Sequence, residues 1–474
     1  MAYRPCSAHD ASWEASTTSM HSSSRPLSAS RAVGTMTADW YKRRLLLVLL
    51  FILAFNYVDR LALGVSLQSI KTSLNLNDTQ LGLLSGIAFA LFYSTMGLPI
   101  ARWADRGNRV TVIVVTTTLW SVAVSLCAGA RTFAQLISIR IAVAIGEAGC
   151  IPPAHSLIAD NFARPQRARA VSIYMLGAPL SAIIGYCVAG WLNQFYGWRA
   201  MFVCLGLPGI GLAWLSARTL REPRLAVPLT DDDAHASMPL GSRVGNSAAQ
   251  PLAEVIRALT KNRTFRHLLF SFSIASFFGY GITQWQPSFF IRSYGISTGE
   301  LGTWFAVIYG VGGLIGSYIG GDLASRWAAD NEPRQLRAMS VMYGLFALVS
   351  ASIYLSHSFH FALVMLGISG IGGSMVLGPL FATIQSVAHP RMRAIAISII
   401  YLFANLIGMG LGPLAAGSLS DLLRPAFGQE SLRYALLALC PGYLWGGWHL
   451  WLASGAVRHD IEATHRHVAR ETQN

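Results

Sequence analysis

The feature that most constrains this chain is a run of roughly 20 mostly apolar residues, the length that crosses a hydrocarbon core about 30 Å thick. The run recurs along the whole chain between short basic or Pro/Gly-rich breaks. Backbone groups in lipid have no water to bond, so each span must satisfy them internally, and a helix does so within one segment. Apolar runs begin near residues 44, 79, 110, 134, 168, 197, 264, 298, 338, 359, 393 and 431, which predicts twelve spans. The chain therefore reads as an all-α, multi-pass membrane protein. Charged residues make up 12% of its 474 positions, against roughly 25% in soluble domains, too few to cover a water-exposed surface.

The formal charge of +14 does not point to nucleic acid, because the basic residues sit in short connectors instead of on one patch or amphipathic face. Cys6, Cys127, Cys150, Cys187, Cys204 and Cys440 are scattered, mostly inside apolar runs. Without metal-ligand or redox spacing they read as small packing residues. Residues 1–39 are rich in Ser, Ala and Thr and lack the apolar stretch of a signal peptide. They read as a disordered tail, with Met36 an alternative start. The longest connector, about Arg218 to Arg263, carries Asp231-Asp232-Asp233 and Gly241-Ser242. The expected organisation is a six-helix bundle over 40–217, a cytoplasmic linker over 218–263, a second six-helix bundle over 264–456 and a cytoplasmic tail over 457–474.

Orientation follows from where Lys and Arg accumulate. Arg102, Arg106, Arg109, Arg164, Arg167, Arg169, Arg326, Arg334, Arg337, Arg391 and Arg393 fall on one side, with the linker and Lys42-Arg43-Arg44. The other side carries isolated charges such as Lys71, Arg131, Arg199 and Arg292. The first side is read as cytoplasmic, and both termini share it. The halves also echo each other: Ala104-Asp105-Arg106 returns as Ala324-Ser325-Arg326, Ile145-Gly146-Glu147 as Ile371-Gly372-Gly373, Arg167-Ala168-Arg169-Ala170 as Arg391-Met392-Arg393-Ala394, and Ala178-Pro179-Leu180 as Gly412-Pro413-Leu414. Repeats in one order argue for duplication, and repeated helical units commonly hold a transporter's substrate at their interface.

Charges inside the spans are the informative residues: Asp59 and Arg60 in span 1, Arg140 and Glu147 in span 4. Each costs on the order of 3 kcal/mol to insert and normally faces a cavity or a partner. At 1.5 Å per residue, Asp59 lies roughly 22 Å from the cytoplasmic end of span 1, and Arg140 roughly 9 Å below the outer surface of a core about 30 Å thick. The depths coincide, which predicts an Asp59–Arg140 ion pair. Glu147, about one and a half to two turns nearer the cytoplasm on the same face, is placed to compete for that arginine. A carboxylate beside an arginine releases its proton and one deprived of the partner holds it, so exchange of partners would link proton binding to alternating access. The competing reading is a static cluster that fixes helix register. Span 7 offers Tyr280, Thr283, Gln284 and Trp285 instead of ions. A cavity charged on one wall and aromatic or aliphatic on the other suits a substrate with a polar head and an apolar body.

Between spans 2 and 3, Ala101-Arg102-Trp103-Ala104-Asp105-Arg106-Gly107-Asn108-Arg109 resembles the signature loop of the major facilitator superfamily, with Ala101 where its first glycine stands. The resemblance implies a cytoplasmic gate in which Asp105, Arg106 and Arg109 act through charge pairs and helix-end dipoles. Arg326 is the counterpart in the second half, where Ser325 replaces the aspartate and should weaken the gate. The stripes Gly177, Ser181, Gly185, Ala189 and Ala404, Gly408, Gly412, Ala416 read as close helix packing.

Asn56-Tyr57-Val58-Asp59-Arg60, Gly146-Glu147-Ala148 with Pro152, and the Asp105 loop together resemble the spinster family of that superfamily, in a bacterial member, over about residues 40–455. The resemblance implies the two-bundle major facilitator fold and a place in the bacterial inner membrane. It implies Asp59 and Glu147 as proton-carrying carboxylates, Arg60 and Arg140 as their partners or substrate anchors, and Asn56 and Tyr57 near the cavity. The expected function is proton-coupled secondary transport of a lysolipid-like or organic-anion substrate, by a monomer without cofactors. Alternatives are a drug or organic-anion carrier of another branch and a non-transporting membrane sensor. An enzyme would need a nucleophile with its base, or a metal cluster, at matching depth, and no such grouping is present in the sequence.

Overall fold

The structure, a computed structural model, describes residues 27–225, 252–327, 331–389 and 392–473. Expectations for the chain before residue 27, for Asp231-Asp232-Asp233 and for Arg391 lie outside the described residues. Every regular element among the described residues is helical. Among the described residues, nine helical stretches are long and apolar enough to cross a membrane, and two of them, Arg169–Thr219 and Ile395–Thr464, each contain two spans. The first breaks at Gly197 (φ 77°, ψ 166°) and the second at Gly428 (φ 55°), backbone conformations that favour glycine. Arg263–Tyr294, whose Ser, Gln and Gly dilute its apolar character, completes the twelve.

In chain order, spans 1 to 4 are Trp40–Leu74, Asp78–Arg106, Arg109–Gly129 and Phe133–Asn161. Spans 5 and 6 cover 164–196 and 198–219. Spans 7 to 10 are Arg263–Tyr294, 298–327, Glu332–Leu355 and Phe359–Val387, and spans 11 and 12 cover 393–427 and 431–473. Most starts are set by side-chain caps. Asn77, Asn108, Thr132, Asn262, Ser297, Asn331 and Ser358 each accept a hydrogen bond from a backbone N–H in the first helical turn. Asn331, followed by Pro333 in the first turn, explains why span 9 begins at Glu332 instead of near 338.

Two ends differ from expectation. Residues 27–39, inside the stretch expected to be disordered, are helical, and no proline lies among them to interrupt the helix. Span 12 continues past residue 456. Val457 is buried, Asp460 accepts a hydrogen bond from the Thr264 N–H at 2.8 Å, and Thr464 donates to the Val387 carbonyl at 3.1 Å, so the expected tail packs on spans 7 and 10.

The small-residue stripes pack as duplication requires. Gly177 and Gly185 of span 5 lie on span 1 at Leu50 and Leu61, and Gly408 and Gly412 of span 11 lie on span 7 at Ser276 and Phe277. The two halves meet along two seams. A methyl group added at Gly86 of span 2 would sit 2.4 Å from the Gly410 carbonyl oxygen of span 11, and one at Gly302 of span 8 would sit 2.2 Å from the Tyr186 carbonyl oxygen of span 5. All four seam spans are interrupted midway. Span 2 breaks at Gly86 (φ −107°, ψ −102°), span 5 between Met175 and Gly177, and spans 8 and 11 carry π-helical turns over Ala306–Gly312 and Ala404–Leu411. Such π-helical turns are rare and are frequent at functional sites.

Candidate functional site

Spans 1 and 4 bring the four intramembrane ions together as two pairs. Asp59 Oδ2 lies 2.5 Å from Arg140 Nη1, and Glu147 Oε2 accepts a hydrogen bond from Arg60 Nε at 2.8 Å. Asp59, Arg140 and Glu147 are almost wholly buried, and Arg60 is partly open. The Asp59–Arg140 pair matches the depth argument, while Glu147 takes Arg60 instead of Arg140. Consecutive residues on a helix point about 100° apart, so span 1 can offer one charge to each of two levels of span 4. Asp59 Oδ1 and Glu147 Oε1 are buried and accept no hydrogen bond among the described residues. Each carboxylate is thus engaged through one oxygen and has a second available for a proton.

A cavity of about 280 Å³ lies between the halves. Its first-half wall includes Tyr57, Arg60, Phe89, Arg140 and Tyr186, and its second-half wall includes Tyr280, Thr283, Gln284, Pro287 and Met409. The arginines face this space and the carboxylates stand behind them. Phe89 lies beneath both guanidinium groups, 4.6 Å from Arg60 and 5.7 Å from Arg140, and Tyr57 and Tyr93 complete an aromatic collar around Arg60. Cation–π contact of this kind stabilises a charge while leaving its N–H groups available to an anion. On the facing wall, Gln284 Nε2 is buried and has no hydrogen-bond partner among the described residues. Two expected cavity residues sit elsewhere. Asn56 is buried and donates to the Glu147 carbonyl at 3.5 Å, and Trp285 is buried with its indole N–H on the Pro413 carbonyl at 2.9 Å, so both support neighbouring helices.

The expected gate residues are not joined across the halves among the described residues. Arg109 is buried at the start of span 3 and binds Asp160 at 2.5 Å, Ser156 at 2.8 Å and Glu222 just beyond span 6, none of them in the second half. Burial raises the Glu222 carboxyl, but the Arg109 hydrogen bonds outweigh it and hold the group below the usual glutamate range. Asp105 and Arg106 are exposed, with the Asp105 carbonyl accepting from Arg224, and Arg326 pairs with Asp322 one turn away on its own helix.

On the opposite side the halves are joined through Asp78, which the sequence reading did not single out. Asp78 receives two hydrogen bonds from Arg292 of span 7 at 2.7 and 2.8 Å, one from Lys71 at 2.5 Å and one from Ser420 of span 11 at 2.8 Å. Asp421 of span 11 in turn accepts from the Asp78 and Thr79 N–H groups at 3.1 and 2.7 Å, capping span 2 from the other half. The sequence signal was present in acidic residues on a side otherwise poor in charge, but their partners in the other half are more than 200 positions away.

Comparison with known proteins agrees with this architecture. The family model of the Major Facilitator Superfamily matches residues 49–413. An MFS-type efflux pump of Mycolicibacterium smegmatis is 32% identical, over 87% of this chain and 93% of its own. Protein spinster homolog 1 of Xenopus laevis is 26% identical, over 88% of this chain and 81% of its own. The crystal structure of a bacterial homologue of the human lysosomal transporter spinster, inward-facing and unoccupied, has a TM-score of 0.77 and 28% identity, covering 89% of this chain and 98% of that one. The chain therefore belongs to the major facilitator superfamily and is a spinster-like membrane transporter, not an enzyme.

Proposed function

We propose that this chain is a proton-coupled secondary transporter that moves an anionic, lysolipid-like amphiphile across the plasma membrane by alternating access. The observation that carries the proposal is the arrangement of the two ion pairs, with arginines on the cavity wall and a carboxylate behind each. An anionic headgroup that binds Arg60 or Arg140 competes with Glu147 or Asp59 for the same guanidinium. A buried carboxylate that loses its cation is far cheaper to keep protonated than charged. Anion binding and protonation therefore favour each other, and by linkage each strengthens the other to the same degree. The uncharged opposite wall, with Tyr280, Pro287 and Met409, suits the apolar body.

The basic side is taken as cytoplasmic on the positive-inside argument. With the Asp78 network joining the halves on the other side, this state is inward-facing, in keeping with the state named for the spinster crystal structure. The gate residues Asp105, Arg106, Arg109 and Arg326 would engage across the halves in the opposite state. A second reading, export of drugs or small organic anions, is favoured by the name of the Mycolicibacterium relative. The test is binding of a lysophospholipid and of soluble organic anions to purified protein with a pH-indicator dye present. Wild-type protein should take up protons as ligand binds, and Asp59→Asn or Glu147→Gln should reduce the uptake. Tight binding with no proton movement from pH 5 to 8 would sink the proposal.

A further inference from the structure

We propose that an anionic single-chain amphiphile reaches the central cavity sideways from the bilayer, through a groove between spans 8, 9 and 10 and a chamber inside the second half. The inference rests on the amphiphile reading above and adds the route. The chamber has a volume of about 320 Å³ and is lined by uncharged side chains such as Ser276, Phe346, Ser374 and Tyr443. Gly373 also lines it, at the position that matches Glu147 of the first half. Where span 4 fills its bundle with an ion pair, span 10 has no side chain, and space remains. The chamber and the central cavity share Tyr280 and Thr283, so the two spaces touch along that wall.

On its far side the chamber adjoins a groove of about 390 Å³, and Met342 and Val376 line both spaces. These two side chains therefore stand between the spaces. Met342 is unbranched and adaptable, and Val376 stands at the break between the two helical segments of span 10, so the barrier is of the kind that can yield. The groove is apolar, with Leu323, Met339, Val341 and Met375 on its walls, and Val341 and Leu323 are 56% and 47% exposed on the surface that meets lipid. Its charged lining residue is Arg334, exposed in the first turn of span 9 on the basic side. A hydrocarbon chain fits the methionine-lined walls, and a guanidinium at the headgroup level fits an anionic head. Chamber, groove and cavity join in series, with Arg334 at one end and Arg60 and Arg140 at the other. One chain with one head suits that linear arrangement better than a two-chain lipid.

The probe is lysophosphatidylglycerol with a photoreactive diazirine in its acyl chain, applied to the full-length protein in nanodiscs and mapped by mass spectrometry. Wild-type protein should carry adducts on groove residues such as Met375 and on chamber residues such as Phe346. Val376→Trp should reduce the chamber adducts by about tenfold and the groove adducts by much less, and Arg334→Gln should reduce groove adducts by about five- to tenfold. Met342→Ala, which opens the partition without bulk, should raise chamber labelling and guards against a folding artefact of the tryptophan. Absence of chamber adducts in wild-type protein, or chamber labelling indifferent to Val376→Trp, overturns the route. Transport of the same lysolipid is read separately in proteoliposomes. Labelling along the route without transport would keep the route and remove the amphiphile as cargo, and transport without groove labelling would do the reverse.

Discussion

Replacing Asp78 with asparagine should move the protein out of the state described here. Asp78 is 1% exposed and holds Arg292, 8% exposed, through two hydrogen bonds, with Lys71 and Ser420 on the same carboxylate. Breaking a buried pair by removing one partner costs about 3–5 kcal/mol, mostly from the charge left behind. The amide introduced by Asp78→Asn would still accept a hydrogen bond, and Lys71, 14% exposed, can turn toward water, which lowers the expectation to about 2–3 kcal/mol. Only the joined state suffers this loss, because parting the halves hydrates every member of the network. At about 1.4 kcal/mol per tenfold, the ratio of joined to parted molecules should fall by about 30- to 150-fold. Spin labels at Arg131→Cys and His357→Cys, both exposed on that side, read the separation by double electron–electron resonance, with exposed Cys204 replaced beforehand. A second, longer distance should appear in Asp78→Asn, and a smaller share of it in Arg292→Gln, where Lys71 and Ser420 remain on Asp78. Arg466→Gln, which breaks an exposed hydrogen bond to the Glu462 carbonyl within one helix, should leave the distribution unchanged. An unaltered distribution in Asp78→Asn would refute the argument that this network holds the halves.

Other consequences can be checked directly. Gly302→Ala should lower the melting temperature in detergent, since its methyl would meet the Tyr186 carbonyl and overpacking costs about 1–3 kcal/mol, whereas Gly129→Ala, with open space around it, should not. Glu222 is held below the usual glutamate range in the folded protein, so its stabilising effect is full above the unfolded value of about 4.3 and is lost as pH falls through the lower folded value. Melting curves from pH 7 down to about pH 3 should therefore show a shallower acid loss in Glu222→Gln than in wild-type protein. Trp285→Phe should cost about 1 kcal/mol of stability through its hydrogen bond to Pro413 and leave ligand affinity unchanged, while Gln284→Leu should weaken ligand binding with little change in melting.

The sequence made legible what depends on distance along a single helix. Rise per residue placed Asp59 and Arg140 at one depth, and they meet at 2.5 Å. Apolar run length located the twelve spans, with caps such as Asn331 shifting a start by a few residues. Rotation of one helix against its neighbour was not legible. Glu147 shares a face with Arg140, yet the turn of span 1 brings Arg60 to it. The same blindness put Trp285 in the cavity when its face of span 7 packs on Pro413. Contacts that exist in one state only were beyond reach as well. The loop around Asp105 reads as a gate because its charges suit one, but with the halves joined on the other side Arg109 serves Asp160 and Glu222 instead. The Asp78 network needed both halves in place before its members could be recognised as partners.

Proton movement during transport tests the central claim most directly. Purified protein in liposomes, with an internal pH dye and an imposed pH gradient, should carry lysolipid or organic anion at a rate set by the gradient, with protons moving alongside. Asp59→Asn and Glu147→Gln should each uncouple the two fluxes while substrate still binds at Arg60 and Arg140. Substrate flux that ignores the gradient in wild-type protein and survives both substitutions with its rate intact would contradict the account.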